Sequence, residues 1–432
     1  MRICAYVQGG YAKPAYKNEN FNTRQWVGLS VIVDSLRRAG YEVEYAGAAT
    51  VHEYDWVLVS ITSDCDWWSF IAERVQWRAG SYKVIVGGAG VLNVRPFLPY
   101  ADYFSLGRGE RTVPALIGGD MLDDSIIESR AFSTDAIYHI RQEMCYGEDV
   151  TLTNGRTFRE LSQGCPHKCL FCGYTWQRRY SGRGEFEAGS GLWSGEETVR
   201  ERAILDMHAS GNYDFGHLRI TSIDGFSERL RRSVNKPITR DMLQSFLRAL
   251  AEHQPPHQLK LYNLVGLPGE RDDDWMEFLD DVRLADTLPA QAKQWMLVVH
   301  STPFRPMPAT PLACAPASYR NYRGEVARVL SGGRASNSVF YRGARLCALE
   351  GMGTDSLATH ALSMICHRGV EDDTDNVRKV ATSKRFWRAS AAVKIATLER
   401  YFDMARLFGA YDAKDLPTRY LRTYCQVEKM WR

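Results

Sequence analysis

Eight residues, Cys165-Pro166-His167-Lys168-Cys169-Leu170-Phe171-Cys172, constrain this chain more than any other stretch. They set three thiols in the pattern C-x3-C-x2-C. Three thiols this close cannot all pair as disulfides, because one is always left over. Soft thiolates at such spacing select zinc, Cu(I) or an iron–sulfur cluster. Zinc takes four closed ligands, usually from two C-x2-C knuckles far apart in sequence, and the 432 residues hold no second knuckle. Three cysteines suit instead a [4Fe–4S] cluster with one iron left open to a ligand that is not protein. Structural zinc is the alternative.

Composition narrows the background. The chain is 45% hydrophobic and 24% charged, ordinary for a globular protein, and its length predicts two or three domains. A net charge of +3 gives no global field toward nucleic acid or membrane. Ten cysteines at irregular spacing are too few for a disulfide scaffold and suit a reducing cytoplasm (a host cytoplasm, if the chain is viral). The start, Met1–Val7, is strand-like and lacks a signal peptide's apolar region. No apolar run reaches the roughly 18 residues of a spanning helix, so no membrane partner is expected.

Along the first third, strand and helix patterns alternate. Ile3–Val7, Tyr41–Tyr45, Asp55–Ile61 and Lys83–Val86 read as strands, and Gln25–Arg38 and Trp67–Trp77 as helices. This alternation predicts an α/β fold with a doubly wound, Rossmann-like parallel sheet, its ligand at the carboxyl ends of the strands. Glycines follow the last strand at Gly87-Gly88-Ala89-Gly90, and Ala101–Glu110 carries more. Beyond the cysteines, Glu196–His208 is amphipathic, with Ser194 as N-cap and Glu197 completing a capping box. Leu218–Gly225 reads as a strand, Arg240–His253 as a helix, and Gln258–Val265 as a buried strand entering Gly266-Leu267-Pro268-Gly269-Glu270. A strand at Trp295–His300 enters Ser301–Leu312.

Taken in this order, the cysteine run with Phe171 before its third thiol, the Gly266–Glu270 turn and the Pro303–Leu312 element resemble the radical S-adenosylmethionine (SAM) enzymes. The Asp55–Ser60 strand, the strand into Gly87-Gly88 and Ala101–Glu110 resemble the cobalamin-binding domain that precedes the core in one subclass. The resemblance covers roughly residues 1–312. It implies a Rossmann-like domain at 1–118, a linker at 119–155, a partial (β/α)6 barrel at 156–316 and a helical cap at 317–432. It makes Cys165, Cys169 and Cys172 the cluster ligands, and Gly173, Tyr174, Ser222, Asp224, Gly266 and Gly269 the residues around SAM. Arg178-Arg179-Tyr180 resembles a basic, aromatic element of the same relatives, and His300 or Arg305 can face substrate. Ala309 stands where relatives carry glycine.

The implied chemistry is reductive cleavage of SAM, with an electron from a flavodoxin or ferredoxin, to a 5′-deoxyadenosyl radical that removes hydrogen from an unactivated C–H bond. Cobalamin is not favoured. The match to its D-x-H-x-x-G motif, Asp206–Gly211, falls inside a helix of the core rather than in the first domain. Without a cobalt-ligand motif, a redox-neutral isomerisation is expected over methylation. One such case is the radical SAM isomerases of viral thymidine hypermodification, which act on an amino-acid-substituted nucleobase. The alternatives are a cobalamin-dependent radical methyltransferase and a metal-bearing nucleic-acid-binding protein without catalysis. The basic, aromatic run Lys379–Arg400 bears on direct DNA binding and reads more simply as an amphipathic helix with a solvated face. Cys314, Cys347, Cys366 and Cys425 lack the spacing of a second cluster.

Overall fold

Runs of apolar, β-branched residues form strands where their periodicity places them. The structure, a computed structural model, describes residues 1–7, 27–120, 125–132, 149–151, 157–159, 162–163, 165, 167–177, 181–182, 198–199, 202–216, 218–253, 255, 257–286, 295–320, 325–326, 345–350 and 354–431. Its first unit runs β1 (Ile3–Tyr6), α1 (Val27–Arg38), β2 (Val43–Ala46), β3 (Trp56–Ser60), α2 (Asp66–Arg74), β4 (Lys83–Gly87), β5 (Tyr103–Ser105), α3 (Gly109–Gly118) and β6 (Ile126–Glu128). The six strands form one sheet in the order β2-β1-β3-β4-β5-β6. All its pairs are parallel except β5 with β6, where Phe104 lies opposite Ile127. Side chains alternate between the faces, as strand geometry requires. Ile3, Ala5, Leu58 and Ile85 meet Leu29 and Val33 of α1 and Val113 of α3. Cys4, Val57, Val59 and Val84 meet Trp67 and Phe70 of α2 and Phe97. The sheet outruns the expected boundary at 118, because the buried pair Ile126-Ile127 suffices for one more edge strand.

Short pairs follow. β7 (Asp149–Thr151) is antiparallel to β8 (Thr157–Arg159). β9 (Ser162–Gln163), before the cysteines, is antiparallel to β10 (Ser181–Gly182), with α4 (Gly173–Gln177) between them. Among the described residues, the strand that leads into the cysteines is not part of a larger sheet. It pairs locally, since Ser162-Gln163 offers no apolar face to a sheet.

The second sheet is built from β11 (Thr198–Val199), α5 (Ala203–Ser210), β12 (Leu218–Ser222), α6 (Glu228–Ser233), α7 (Arg240–His253), β13 (Leu259–Val265), α8 (Asp272–Asp286), β14 (Trp295–Pro303) and β15 (Arg345–Glu350). Its five strands are parallel, in the order β11-β12-β13-β14-β15. One face buries Leu259, Leu261, Val265, Leu297 and Val299 under α5, α7 and α8 through Ile204, Phe246, Leu247 and Phe278. The helix expected over Glu196–His208 starts only at Ala203. The β-branched pair Thr198-Val199 goes to the sheet edge instead, while Ser194, Glu196 and Glu197 lie outside the described residues. The motif match at Asp206–Gly211 is indeed helical, with Asp206 paired to Arg202 at 3.4 Å.

Beyond 317 the chain is not only a helical cap, since β15 pairs in register with β14. Helices α9 (Thr354–Arg368), α10 (Thr374–Ala381), α11 (Lys384–Arg388), α12 (Ala391–Tyr401) and α13 (Met404–Phe408) then share the core of the first sheet through Leu362, Ile365, Val377, Phe386, Leu398 and Leu407. The single amphipathic helix expected over Lys379–Arg400 is broken into parts. Ser383 caps α11 by accepting from the Phe386 amide at 3.1 Å, and Ser390 precedes α12. The last helix, α14 (Thr418–Trp431), packs instead on the cysteine loop and the turn after β13, through Tyr420, Tyr424 and Val427. No helix among the described residues is long and apolar enough to cross a membrane.

Candidate functional site

The cysteine loop is held by its own backbone. The Cys172 amide donates to the Cys169 carbonyl at 3.1 Å, and Lys168 supplies the left-handed residue of the turn with φ of 55°. Helix α4 is stapled back onto the loop. Thr175 Oγ1 donates to the Cys165 carbonyl at 2.8 Å, and Trp176 Nε1 to the Cys169 carbonyl at 2.9 Å. Trp176 in turn packs edge-on against Tyr420 of α14. Cys165 and Cys169 are buried and Cys172 half-buried.

The loop lies at the carboxyl ends of the second sheet. Leu170 shares an apolar cluster with Leu267, just past β13, and with Phe304, just past β14. The end of β12 is joined through Lys236, a residue that sequence reasoning passed over. Lys236 is 5% exposed. Its ammonium donates to Ser222 Oγ and Asp224 Oδ2, both at 2.7 Å. The stretch leading to it is bonded to the cysteine loop: Leu170 N donates to Val234 O at 2.9 Å, and Asn235 Nδ2 reaches the carbonyls of His167 at 3.1 Å and Lys168 at 3.0 Å. Burial pushes the Cys169 thiol up to about 12, against the opposing charge of Lys236. His167 is pushed down to about 4 by burial, with Arg202 and Lys236 adding to it.

Other predicted positions fall as follows. Tyr174 is half-buried on α4, and the Gly173 amide points to Met307 Sδ at 3.4 Å. Asp224 adopts φ of 52°, so the turn role and the polar role belong to the same residue. The amide after it, on Gly225, donates to Asn263 Oδ1 at 2.8 Å. Gly266 and Gly269 bound the turn after β13, both at positive φ. A Cβ on Gly269 would lie 3.0 Å from the Trp431 backbone, so this glycine admits α14. Ala309, at φ of 56°, holds the strained conformation that a glycine takes freely. His300 stands edge-on to Tyr262, ring centroids 5.0 Å apart, on the sheet face opposite α7 and α8. Tyr262 is 37% exposed there. Arg178–Tyr180 lie outside the described residues.

Glu270 closes the turn after β13. It accepts from Leu267 N at 2.9 Å and from Trp275 Nε1. Burial pushes its carboxyl up to about 7, outweighing these donors. A carboxyl raised on folding contributes stability below its unfolded value of about 4.3, and that contribution is lost as pH rises through the folded value. Glu270→Gln is therefore expected to flatten the pH dependence of Tm between pH 5 and 8, read by calorimetry. An unchanged slope would show that the carboxyl does not titrate there.

The residues fit an iron–sulfur cluster. Among the described residues, no group of three or more His, Cys, Asp or Glu side chains converges on one ion position. A cubane puts its thiolates on separate irons, and the three cysteines, two of them buried, share one short loop without a disulfide. The described residues just beyond β3 and β4 do not fit a corrin. A Cβ on Gly88 would meet the Ile61 carbonyl at 2.5 Å, and one on Gly90 the Ser63 backbone at 2.5 Å, so protein already fills the hollows these glycines leave. Asp64, just beyond β3, is taken by Arg305 at 3.2 Å, His367 Nε2 at 3.2 Å and Ser363 Oγ. Burial opposes its charge, but His367, Arg305 and Ser363 hold the carboxyl well below its usual range. Arg305 is thus an inter-sheet contact rather than the substrate-facing residue expected. Asn93 Nδ2 adds a bond to the Gly369 carbonyl at 2.8 Å. Among the described residues, these contacts fill the space beyond the carboxyl ends of β3 and β4.

No protein-family model matches the chain, and no curated protein matches it. Solved structures of the cobalamin-dependent S-adenosylmethionine radical enzyme OxsB resemble it at 10% identity. The apo, selenomethionine-labelled form covers 100% of this chain and 55% of its own, with a TM-score of 0.27. The form with aqua-cobalamin and S-adenosylmethionine, and that with aqua-cobalamin alone, each cover 100% and 56%, with a TM-score of 0.24. The chain spans little over half the length of those structures, and likeness of this degree adds no weight to the geometry above.

Proposed function

We propose that this protein is a radical SAM enzyme, in which Cys165, Cys169 and Cys172 hold a [4Fe–4S] cluster. The observation that carries the reading is the position of the cysteine loop. Its Leu170 packs with Leu267 and Phe304 past the ends of β13 and β14, and its backbone is bonded to Val234 and Asn235, next to the Lys236 that meets Ser222 and Asp224 at the end of β12. In open parallel sheets this is the edge at which ligands bind. When bound, the cluster and SAM supply the electron transfer and carbon radical that protein side chains cannot. The chain's own part is to hold the thiolates, orient the ligands and exclude water. Leu170, Leu267 and Phe304 form the dry wall, and Tyr262 and His300 present an aromatic face from neighbouring strands.

The finer reading is an isomerisation, with an amino-acid-substituted thymidine in viral DNA as a candidate substrate and a flavodoxin or ferredoxin as electron donor. The contacts that fill the space beyond β3 and β4 among the described residues support isomerisation over methylation. The exposed ring of Tyr262 suits a flat substrate. A cobalamin-dependent methyltransferase is the second reading, favoured by the first sheet's topology alone. Anaerobic reconstitution with iron and sulfide, then reduction in the presence of SAM, tests the proposal. 5′-Deoxyadenosine is the expected product. An intact cluster that yields none would leave a metal-bearing binding protein, and corrinoid retained after gel filtration would restore the methyltransferase.

A further inference from the structure

Lys236 is built into this site more firmly than the cysteines require. Its ammonium is buried and bonded to Ser222 and Asp224 at the end of β12, and the two residues before it are bonded to the cysteine loop at three points. Asn235 takes φ of 58°, a left-handed conformation held by its bonds to the loop. Arg231, beneath, fixes the same segment by donating to the carbonyls of Gly225, Phe226 and Ile238. A surface lysine would not be positioned in this way, and burying an ammonium is costly unless its charge is used or paired.

We propose that Lys236 is a positioning residue that sets the electrostatics of the cysteine loop, with Asp224 as its counter-charge, so that this pair tunes how readily a cluster held by Cys165, Cys169 and Cys172 accepts an electron. The inference rests on the proposed cluster reading. Reduction adds one electron, here from dithionite, and makes the cluster more negative. A fixed cation stabilises that added charge, and a fixed anion opposes it, more strongly where water is excluded. Lys236→Met leaves Asp224 uncompensated, so the midpoint potential falls. Asp224→Asn removes the fixed anion beside the ammonium, so the potential rises.

The test is a dithionite titration of the reconstituted, full-length protein followed by electron paramagnetic resonance, with iron content measured alongside. Each variant is expected to shift the reduction equilibrium at least tenfold, which is 59 mV for one electron, and the two shifts have opposite signs. A role confined to bracing the Asp224–Gly225 turn would lower iron content in both variants and leave the potential of the remaining clusters alone. That outcome overturns the proposal. If Lys236→Met holds no cluster, the upward shift in Asp224→Asn decides. A wild-type protein that binds no iron overturns the cluster reading and this inference together, whereas a normal cluster with unmoved potentials in the variants overturns only the inference.

Discussion

Replacing Cys169 with alanine is expected to abolish cluster assembly while leaving the fold intact. The thiol is buried, and its backbone is held by the Cys172 amide and the Trp176 indole rather than by sulfur. Alanine at 169 therefore removes a ligand without cutting those supports. Reconstituted Cys169→Ala should lose the charge-transfer absorbance of the cluster, and 5′-deoxyadenosine formation should fall roughly 100-fold or more, about 2.7 kcal/mol in the barrier. Cys425→Ala is the control, since that cysteine is exposed on α14 and should keep both signals. A full cluster in Cys169→Ala, by iron content and spectrum, would move the site away from this loop.

The second large effect is expected at Arg231, which is fully buried. Its guanidinium meets the Ile238 carbonyl at 2.7 Å, Gly225 at 3.1 Å and Phe226 at 2.9 Å. Burial pulls its pKa down to about 10, which leaves it charged at neutral pH. Arg231→Met fills much of the volume but leaves three buried acceptors without a donor, at a cost on the order of 3–5 kcal/mol. Lysine should not rescue it, because one ammonium cannot reproduce the planar fork. Urea denaturation followed by tryptophan fluorescence measures the loss. The cysteine loop should loosen too, since Val234, three residues on, accepts from Leu170. A variant with the wild-type midpoint and iron content would show that the segment from 225 to 238 does not depend on this arginine.

Much of the fold could be read from the chain because long apolar runs leave little choice. Ile3–Tyr6, Trp56–Ser60, Lys83–Gly87 and Leu259–Val265 are strands within a residue or two of their expected bounds, and Arg240–His253 is a helix over its whole expected length. What escaped were elements too short to carry a period. β6, β11 and β9 have three residues or fewer, and their pairing is decided by neighbours far along the chain. The site divides in the same way. The three thiols announce themselves by spacing, and Ser222 and Asp224 by standing at a strand end. Lys236 carries no such signal: Asn-Lys-Pro looks like any loop until the fold brings it against residues 12 and 14 positions earlier. Arg305 escaped for the opposite reason. Its partner, Asp64, is 241 residues away in the other sheet, so its proximity to β14 suggested a substrate role that the ion pair replaces.

The packing of α9 to α13 into the core beside α2 bears on the order in which the molecule is made. Trp67, Phe70 and Phe97 belong to one core with Leu362, Ile365, Val377 and Leu398, about 300 residues later in synthesis. Contacts that distant slow folding, and a growing chain folds its early domains first. The outer side of α2 and the Phe97 segment therefore emerge from the ribosome uncovered and must wait for most of the remaining chain before they are closed over. During that interval the exposed aromatic face is a natural target for a chaperone, and the second sheet has time to organise before Arg305 and His367 draw Asp64 into place.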